Sequence, residues 1–131
     1  MQALILDDSQ SMRIVLRRIG EKLGFVVFEA GDGFEGLRRL LEIGTTELIV
    51  VDCNMPMMNG LEFVKAVRTI PMYQDTFILM VSCESGTESI VNALQSRVDD
   101  FLPKPCTGKD IREKLQSIME CIAMKAHHPL S

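Results

Sequence analysis

The 131-residue chain has no apolar run long enough to cross a bilayer. Its longest uncharged apolar stretches, LIVV at 48–51 and FILMV at 77–81, fall far short of the roughly 20 residues a spanning helix needs. No basic segment precedes an apolar one at the amino terminus, where MQALILDD goes straight into a strand pattern. No export signal or membrane partner is therefore expected, and the expected location is cytoplasmic. Basic charge is also sparse: Lys and Arg number 14 against 18 Asp and Glu, a net charge of −4, with no basic run. Nucleic-acid binding has no electrostatic support in such a chain, and a cation or a basic partner suits it better. The cysteines, Cys53, Cys83, Cys106 and Cys121, are spaced 30, 23 and 15 apart, which is neither a zinc-ribbon nor a C-x-x-C pattern. Reduced thiols are expected. Internal repeats, low-complexity tracts and linkers are lacking too.

What is present suits one globular domain. Apolar residues make up 47% and charged residues 24%, a soluble composition, and the length is enough to bury a core without disulfides. Short apolar runs occur at Ala3–Leu6, Phe25–Phe28, Leu48–Val51, Phe77–Val81 and, most weakly, Phe101–Leu102. Segments with helical spacing separate them. Met12, Val15, Ile19 and Leu23 fall on one face of the first, and Phe34, Leu37 and Leu41 on one face of the second. Leu61, Val64 and Val67 mark the third, Ile90, Val91 and Leu94 the fourth, and Ile111, Leu115, Ile118 and Ile122 the fifth. Ser9 or Ser11 can cap the first helix, Gly24 can end it, and Thr107 can cap the last. Gly20, inside the first helix, costs about 1 kcal/mol with no reason visible in the sequence. Five β-α units with strands apolar on both faces predict a doubly wound parallel sheet covered by five helices. Right-handed crossovers then bring all the carboxyl ends of the strands to one edge, where function is expected.

That edge collects chemistry. Asp7 and Asp8 end the first strand, Asp52 the third and Ser82 the fourth, and Lys104 follows the fifth. Each alone is ordinary: acids near a helix start, a hydroxyl at a strand end, a surface lysine. Brought together, three carboxylates repel one another unless a cation arrives. Mg²⁺, which takes one or two carboxylates with waters and a phosphate oxygen, fits such a pocket. Lys104 and Ser82 add the positive charge and the hydroxyl donor that hold phosphoryl oxygens. Asp52 is then the nucleophile of an acyl-phosphate chemistry in which positioning does most of the work. After it, Pro56 stops strand pairing and restricts Met55 to extended backbone, and Asn59-Gly60 signals a turn before the next helix.

These stretches resemble the response-regulator receiver domain, the phosphorylation switch of two-component signalling, over residues 2 to about 125. LILDDSQSMR resembles its first strand with paired acids and VDCNMPMMNG its phospho-acceptor loop, while VSCES and FLPKP resemble its hydroxyl and lysine motifs. The successive intervals, 44 residues from Asp8 to Asp52, 30 from Asp52 to Ser82 and 22 from Ser82 to Lys104, suit the family. The resemblance implies a flavodoxin-like sheet of order 2-1-3-4-5, a receiver domain over residues 1–125 and a flexible tail at 126–131. It implies that Asp52 accepts a phosphoryl group from a sensor histidine kinase or phosphotransfer protein. It also implies that Asp8, Asp52 and the Asn54 backbone carbonyl hold Mg²⁺ directly, with Asp7 acting through water, and that Lys104-Pro105 is a cis peptide. Ser82 and Phe101 form its switch, which reshapes the face of the fourth helix, fifth strand and fifth helix for a downstream protein. With no attached output domain, the effect is expected to pass through a separate partner. Asn54 and Glu84 resemble the pair that tunes rapid self-dephosphorylation in chemotaxis receivers. The implied protein is a signalling switch, not a turnover enzyme.

Three departures stand out. Arg97 occupies a position where the family commonly has glycine, so arginine is strained there if positive φ is retained. Cys83 replaces a common alanine and Cys106 a common aromatic. A competing motif is GDGFEG at 31–36, which satisfies G-x-G-x-x-G with Asp52 lying 21 residues beyond Gly31 and suggests a dinucleotide-binding module. Asp32 and Glu35 would place negative charge beside a pyrophosphate, which disfavours it. A phosphatase with an aspartate nucleophile would usually carry a second acid where Asn54 stands.

Overall fold

A computed structural model describes residues 1–82 and 97–126, apart from the side chains of Ser82 and Ala126. The strands are β1 (Gln2–Leu6), β2 (Val26–Ala30), β3 (Leu48–Asp52), β4 (Phe77–Ser82) and β5 (Asp100–Pro103). The helices are α1 (Gln10–Lys22), α2 (Gly33–Ile43), α3 (Gly60–Arg68) and α4 (Gly108–Ala126), with a 3₁₀ turn at Pro71–Tyr73. Four of the five expected helices are thus among the described residues. The one expected around Ile90, Val91 and Leu94 lies outside them, as do Cys83, Glu84 and residues 127–131 of the expected tail. All neighbouring strands pair in parallel, in the order β2-β1-β3-β4-β5. No helix among the described residues is long and apolar enough to cross a membrane.

Alternation along each strand divides the core in two. Leu4, Leu6, Ile49, Val51, Ile78 and Met80 face α2 and α3, where Leu40, Phe63, Val64 and Val67 meet them. Ala3, Ile5, Leu48, Val50, Leu79 and Val81 face α1 and α4, against Leu16, Ile111, Leu115 and Ile118. Burying each such side chain contributes about 1.5–3 kcal/mol, so both faces hold the sheet.

In the four described helices the spacing read from the sequence is right, but its phase is off in two of them. Val15, Phe34 and Leu41 are exposed, and Leu16 and Leu40 are buried in their place. In α2 the buried positions are Gly33, Gly36 and Leu40; the glycines carry no hydropathy signal, which shifts the apparent stripe by one residue. Gly20 now has a reason: a Cβ there would meet Val27 Cγ2 at 3.1 Å, so its absence lets α1 approach β2. Caps behave as expected from the sequence. The Ser9 side chain accepts from the Met12 amide at 3.2 Å, Gly24 adopts φ +101°, and Thr107 Oγ1 accepts from the Asp110 amide at 3.1 Å.

One buried polar cluster had no sequence signal. Arg68, only 7% exposed, closes the end of α3. It donates to the carbonyls of Tyr73, Thr76 and Arg97 and to Asp99 Oδ2. Asp99 Oδ2 also accepts from the Ile78 amide. This charge-assisted network ties the starts of β4 and β5 together. Arg97 retains a positive φ of 67° despite its side chain.

Candidate functional site

The ends of β1 and β3 are adjacent because the two strands pair directly, Leu6 opposite Val51. Asp7 and Asp8 therefore leave the sheet beside Asp52, and one oxygen from each of the three carboxylates lies within 4.8 Å of the others. Asp7 and Asp52 are buried, at 1% and 5% exposure, and Asp8 is exposed. Lys104 arrives from beyond β5, with Nζ 3.1 Å from Asp7 Oδ2 and 3.6 Å from Asp52 Oδ2. The Lys104–Pro105 peptide is cis.

Both Asp7 oxygens are engaged, Oδ1 by the Ser9 amide at 2.9 Å and Oδ2 by Lys104. Asp52 Oδ1 accepts a longer bond from the Asn54 amide, at 3.3 Å. Burial pushes the Asp52 carboxyl above its ordinary range and the Asp7 charge adds to this, while Lys104 and the Asn54 amide pull it back and Asp8 raises it slightly. Such a group holds its negative charge at a cost, which a nearby cation relieves. An all-oxygen donor set with an exposed carboxylate (Asp8) beside a buried one (Asp52) fits a hard divalent ion such as Mg²⁺.

Two features that shape this site were not recognised in the sequence. Gly60, taken there as part of a turn, is the first residue of α3, and Asn59 is its cap in a reciprocal capping box with Glu62. A Cβ at Gly60 would collide with the Asp52 carbonyl oxygen and come within 2.9 Å of Cys53 Cα. With hydrogen there instead, the 53–59 loop folds back and the Gly60 amide donates to the Cys53 carbonyl at 2.9 Å. The second is Arg13, which donates from Nη1 to the Asp7 carbonyl and pairs with Glu29 on β2 at 3.3 Å. It fixes the β1–α1 turn that presents both acids. Arg13 and Glu29 lie in different elements, so no local pattern links them.

The remaining expected residues are dispersed or undescribed. Phe101 is half-buried in β5, opposite Met80, and packs against the α2–α3 side of the core. Asn54 is exposed. Ser82 ends β4, but its side chain and all of Glu84 lie outside the described residues. Among the described residues, Cys53, Cys106 and Cys121 form no disulfide with one another.

The glycine-rich motif has another purpose. Asp32 caps α2 through the Glu35 amide, and Glu35 Oε2 accepts from the Gly31 amide. Amides that would cradle a phosphate are thus covered by the chain's own acids. Gly33 lies against Met58, and Gly36 against Leu6 and Phe63. These glycines serve close packing, and dinucleotide binding loses its structural basis.

Comparisons with known proteins agree with this geometry. Residues 3–116 match the family model of the response regulator receiver domain. The chemotaxis protein CheY1 of Helicobacter pylori is 34% identical over 120 residues, 91% of this chain and 97% of that one. A chemotaxis protein CheY homolog of Campylobacter jejuni is 37% identical over 120 residues, covering 91% and 92%. Among solved structures, the chemotaxis response regulator CheY4 of Vibrio cholerae superposes with a TM-score of 0.82 at 33% identity, over 89% of this chain and 97% of that one.

Proposed function

The chain belongs to the response regulator receiver domain family, a two-component signalling switch of CheY type, and we propose that it works by accepting a phosphoryl group on Asp52. The observation that carries this reading is the convergence of Asp7, Asp8 and Asp52 within 4.8 Å, with the Lys104 ammonium against two of them. The donor is a phosphohistidine of a sensor kinase or phosphotransfer protein. An Asp52 carboxylate oxygen forms the new P–O bond as the P–N bond to the donor imidazole breaks, and the imidazole retains the electron pair and takes up a proton.

The residues have separable tasks. β3 aims Asp52 out of the core, and its desolvation keeps the nucleophile from being solvated into inertness. Lys104 offsets its charge and is placed to take a phosphoryl oxygen. Ser82 supplies a hydroxyl to another. Asp8, Asp52 and the Asn54 carbonyl would hold Mg²⁺ directly, with Asp7 assisting through water. Bound there, the ion supplies charge neutralisation to the carboxylates and the transferring oxygens.

Added phosphoryl charge then biases a bistable packing element. Ser82 moves toward the phosphoryl group and Phe101 turns inward, shifting a pre-existing equilibrium. The face that includes β5 and α4 is thereby reshaped for a separate protein. Because the relatives above are chemotaxis proteins, a motility target is the first partner to test. Asn54 and Glu84 tune self-dephosphorylation, giving a short-lived phosphorylated state. The receiver domain spans residues 1–125.

The test is exposure to acetyl phosphate with Mg²⁺, read by intact mass beside Asp52→Asn. The wild type gains one phosphoryl group and the variant none; equal labelling of both refutes the site. Persistence of the label for many hours in Mg²⁺ buffer refutes the self-dephosphorylation.

A further inference from the structure

The carboxylates that gather at the sheet edge are not held alike. Asp7 is fixed through its own oxygens, by the Ser9 amide and by Lys104, and its amide donates to the Ala30 carbonyl of β2 at 3.2 Å. Asp8 is exposed, so the direction of its carboxylate depends on the peptide that precedes it. The carbonyl of that peptide belongs to Asp7, and Arg13 Nη1 donates to it.

Arg13 lies in the first turn of α1, where side chains lean toward the helix N-terminus, and it is held from its other side as well. Its Nε donates to Glu29 Oε1 at 3.3 Å, and the second oxygen of Glu29 accepts from Arg17 Nη1 at 2.6 Å. One planar guanidinium thus joins the edge strand β2 to the β1–α1 turn through donors in fixed relation to each other. A lysine ammonium carries the same charge but presents its donors from a single atom, and it cannot reproduce that span.

We propose that Arg13, braced by Glu29, is a positioning residue for the divalent ion, setting Mg²⁺ affinity by holding the Asp7–Asp8 peptide so that the Asp8 carboxylate stays beside Asp52. The inference rests on the reading of Asp8 and Asp52 as direct ligands of the metal. Its sign separates it from a simple charge effect. Groups that orient metal ligands from behind cost about 10–100-fold in affinity when removed, whereas removing a cation near the site would by charge alone tighten Mg²⁺ binding.

The test is titration of MgCl₂ into the isotope-labelled, unphosphorylated full chain, followed at the Asp8, Asp52 and Asn54 amides, for the wild type, Arg13→Gln and Arg13→Lys. Both variants are expected to bind Mg²⁺ about tenfold more weakly, although the first loses a repelling charge and the second keeps it. Affinity equal to or tighter than the wild type in either folded variant overturns the proposal. Should Arg13→Gln not fold, Arg13→Lys decides; loss of amide dispersion in Arg13→Lys also overturns it, since the side chain would then hold the domain and not the turn. Absence of saturable shifts in the wild type refutes the metal reading and this inference with it, whereas wild-type binding with unchanged variants removes this inference alone.

Discussion

The Lys104 ammonium and the Asp7 carboxylate meet at 3.1 Å although 97 positions separate them in the chain. The contact joins the end of the edge strand to the end of a central one, and Asp7 is almost wholly buried. Lys104→Met leaves that carboxylate and Asp52 without this cation. In chelator at neutral pH the variant is expected to lose about 2 kcal/mol in urea unfolding, because an uncompensated buried charge is costly. Restoring part of that loss with Asp7→Asn in the same chain would identify charge as the cause.

Asp52→Asn is expected to stabilise the protein when no divalent ion is present. The folded state raises the Asp52 carboxyl above its value of 3.8 in the unfolded chain, so the native state binds the proton more tightly. Its unfavourable contribution is therefore absent below pH 3.8, grows as pH rises through the raised value, and is fully present at neutrality. A gain of about 1 kcal/mol at pH 7, fading as the pH falls toward 3.8, would appear in paired thermal melts. Mg²⁺ should raise the wild-type melting temperature more than that of the variant.

Gly60→Ala inserts a methyl group against the backbone of Asp52 and Cys53. The contact is with main chain and has no flexible side chain to yield. The expected outcome is a displaced 53–59 loop, a loss of about 2–3 kcal/mol, and slower acetyl phosphate labelling of the molecules that remain folded. Wild-type labelling kinetics in Gly60→Ala would show that this close approach does not position Asp52.

Arg97→Gly should stabilise the chain. Arg97 holds φ at 67°, a region that costs a side chain about 1 kcal/mol and glycine nothing. Among the described residues the side chain gives up an exposed contact to Gln74 at 3.3 Å, while the Arg97 carbonyl that Arg68 uses is retained. A net gain of about 0.5 kcal/mol is expected in denaturant unfolding. A destabilised variant would mean that the side chain contributes more than the strain costs.

Much of the site was legible in the sequence because strand ends and short charged motifs are local signals, and a parallel sheet gathers them by topology alone. Asp7, Asp8, Asp52 and Lys104 could be placed together without any knowledge of side-chain packing. Arg13 and Arg68 could not, since their partners, Glu29 and Asp99, lie in other elements at no fixed spacing. The buried faces of α1 and α2 were misphased for a related reason. Gly20, Gly33 and Gly36 are buried through what they lack, and hydropathy patterns do not register the close approach of a neighbouring element.

The strand order also restricts which amino acid can supply the site's cation. β5 is separated from β3 by β4, and two inter-strand spacings amount to roughly 10 Å. A compact residue at position 104 could not bridge that gulf, whereas the four-carbon stem of lysine carries a charge over the end of β4 to the centre of the sheet. Shortening that tether by a methylene or two, with the charge preserved, would strand it above β4, so reach is as much a requirement at this position as sign.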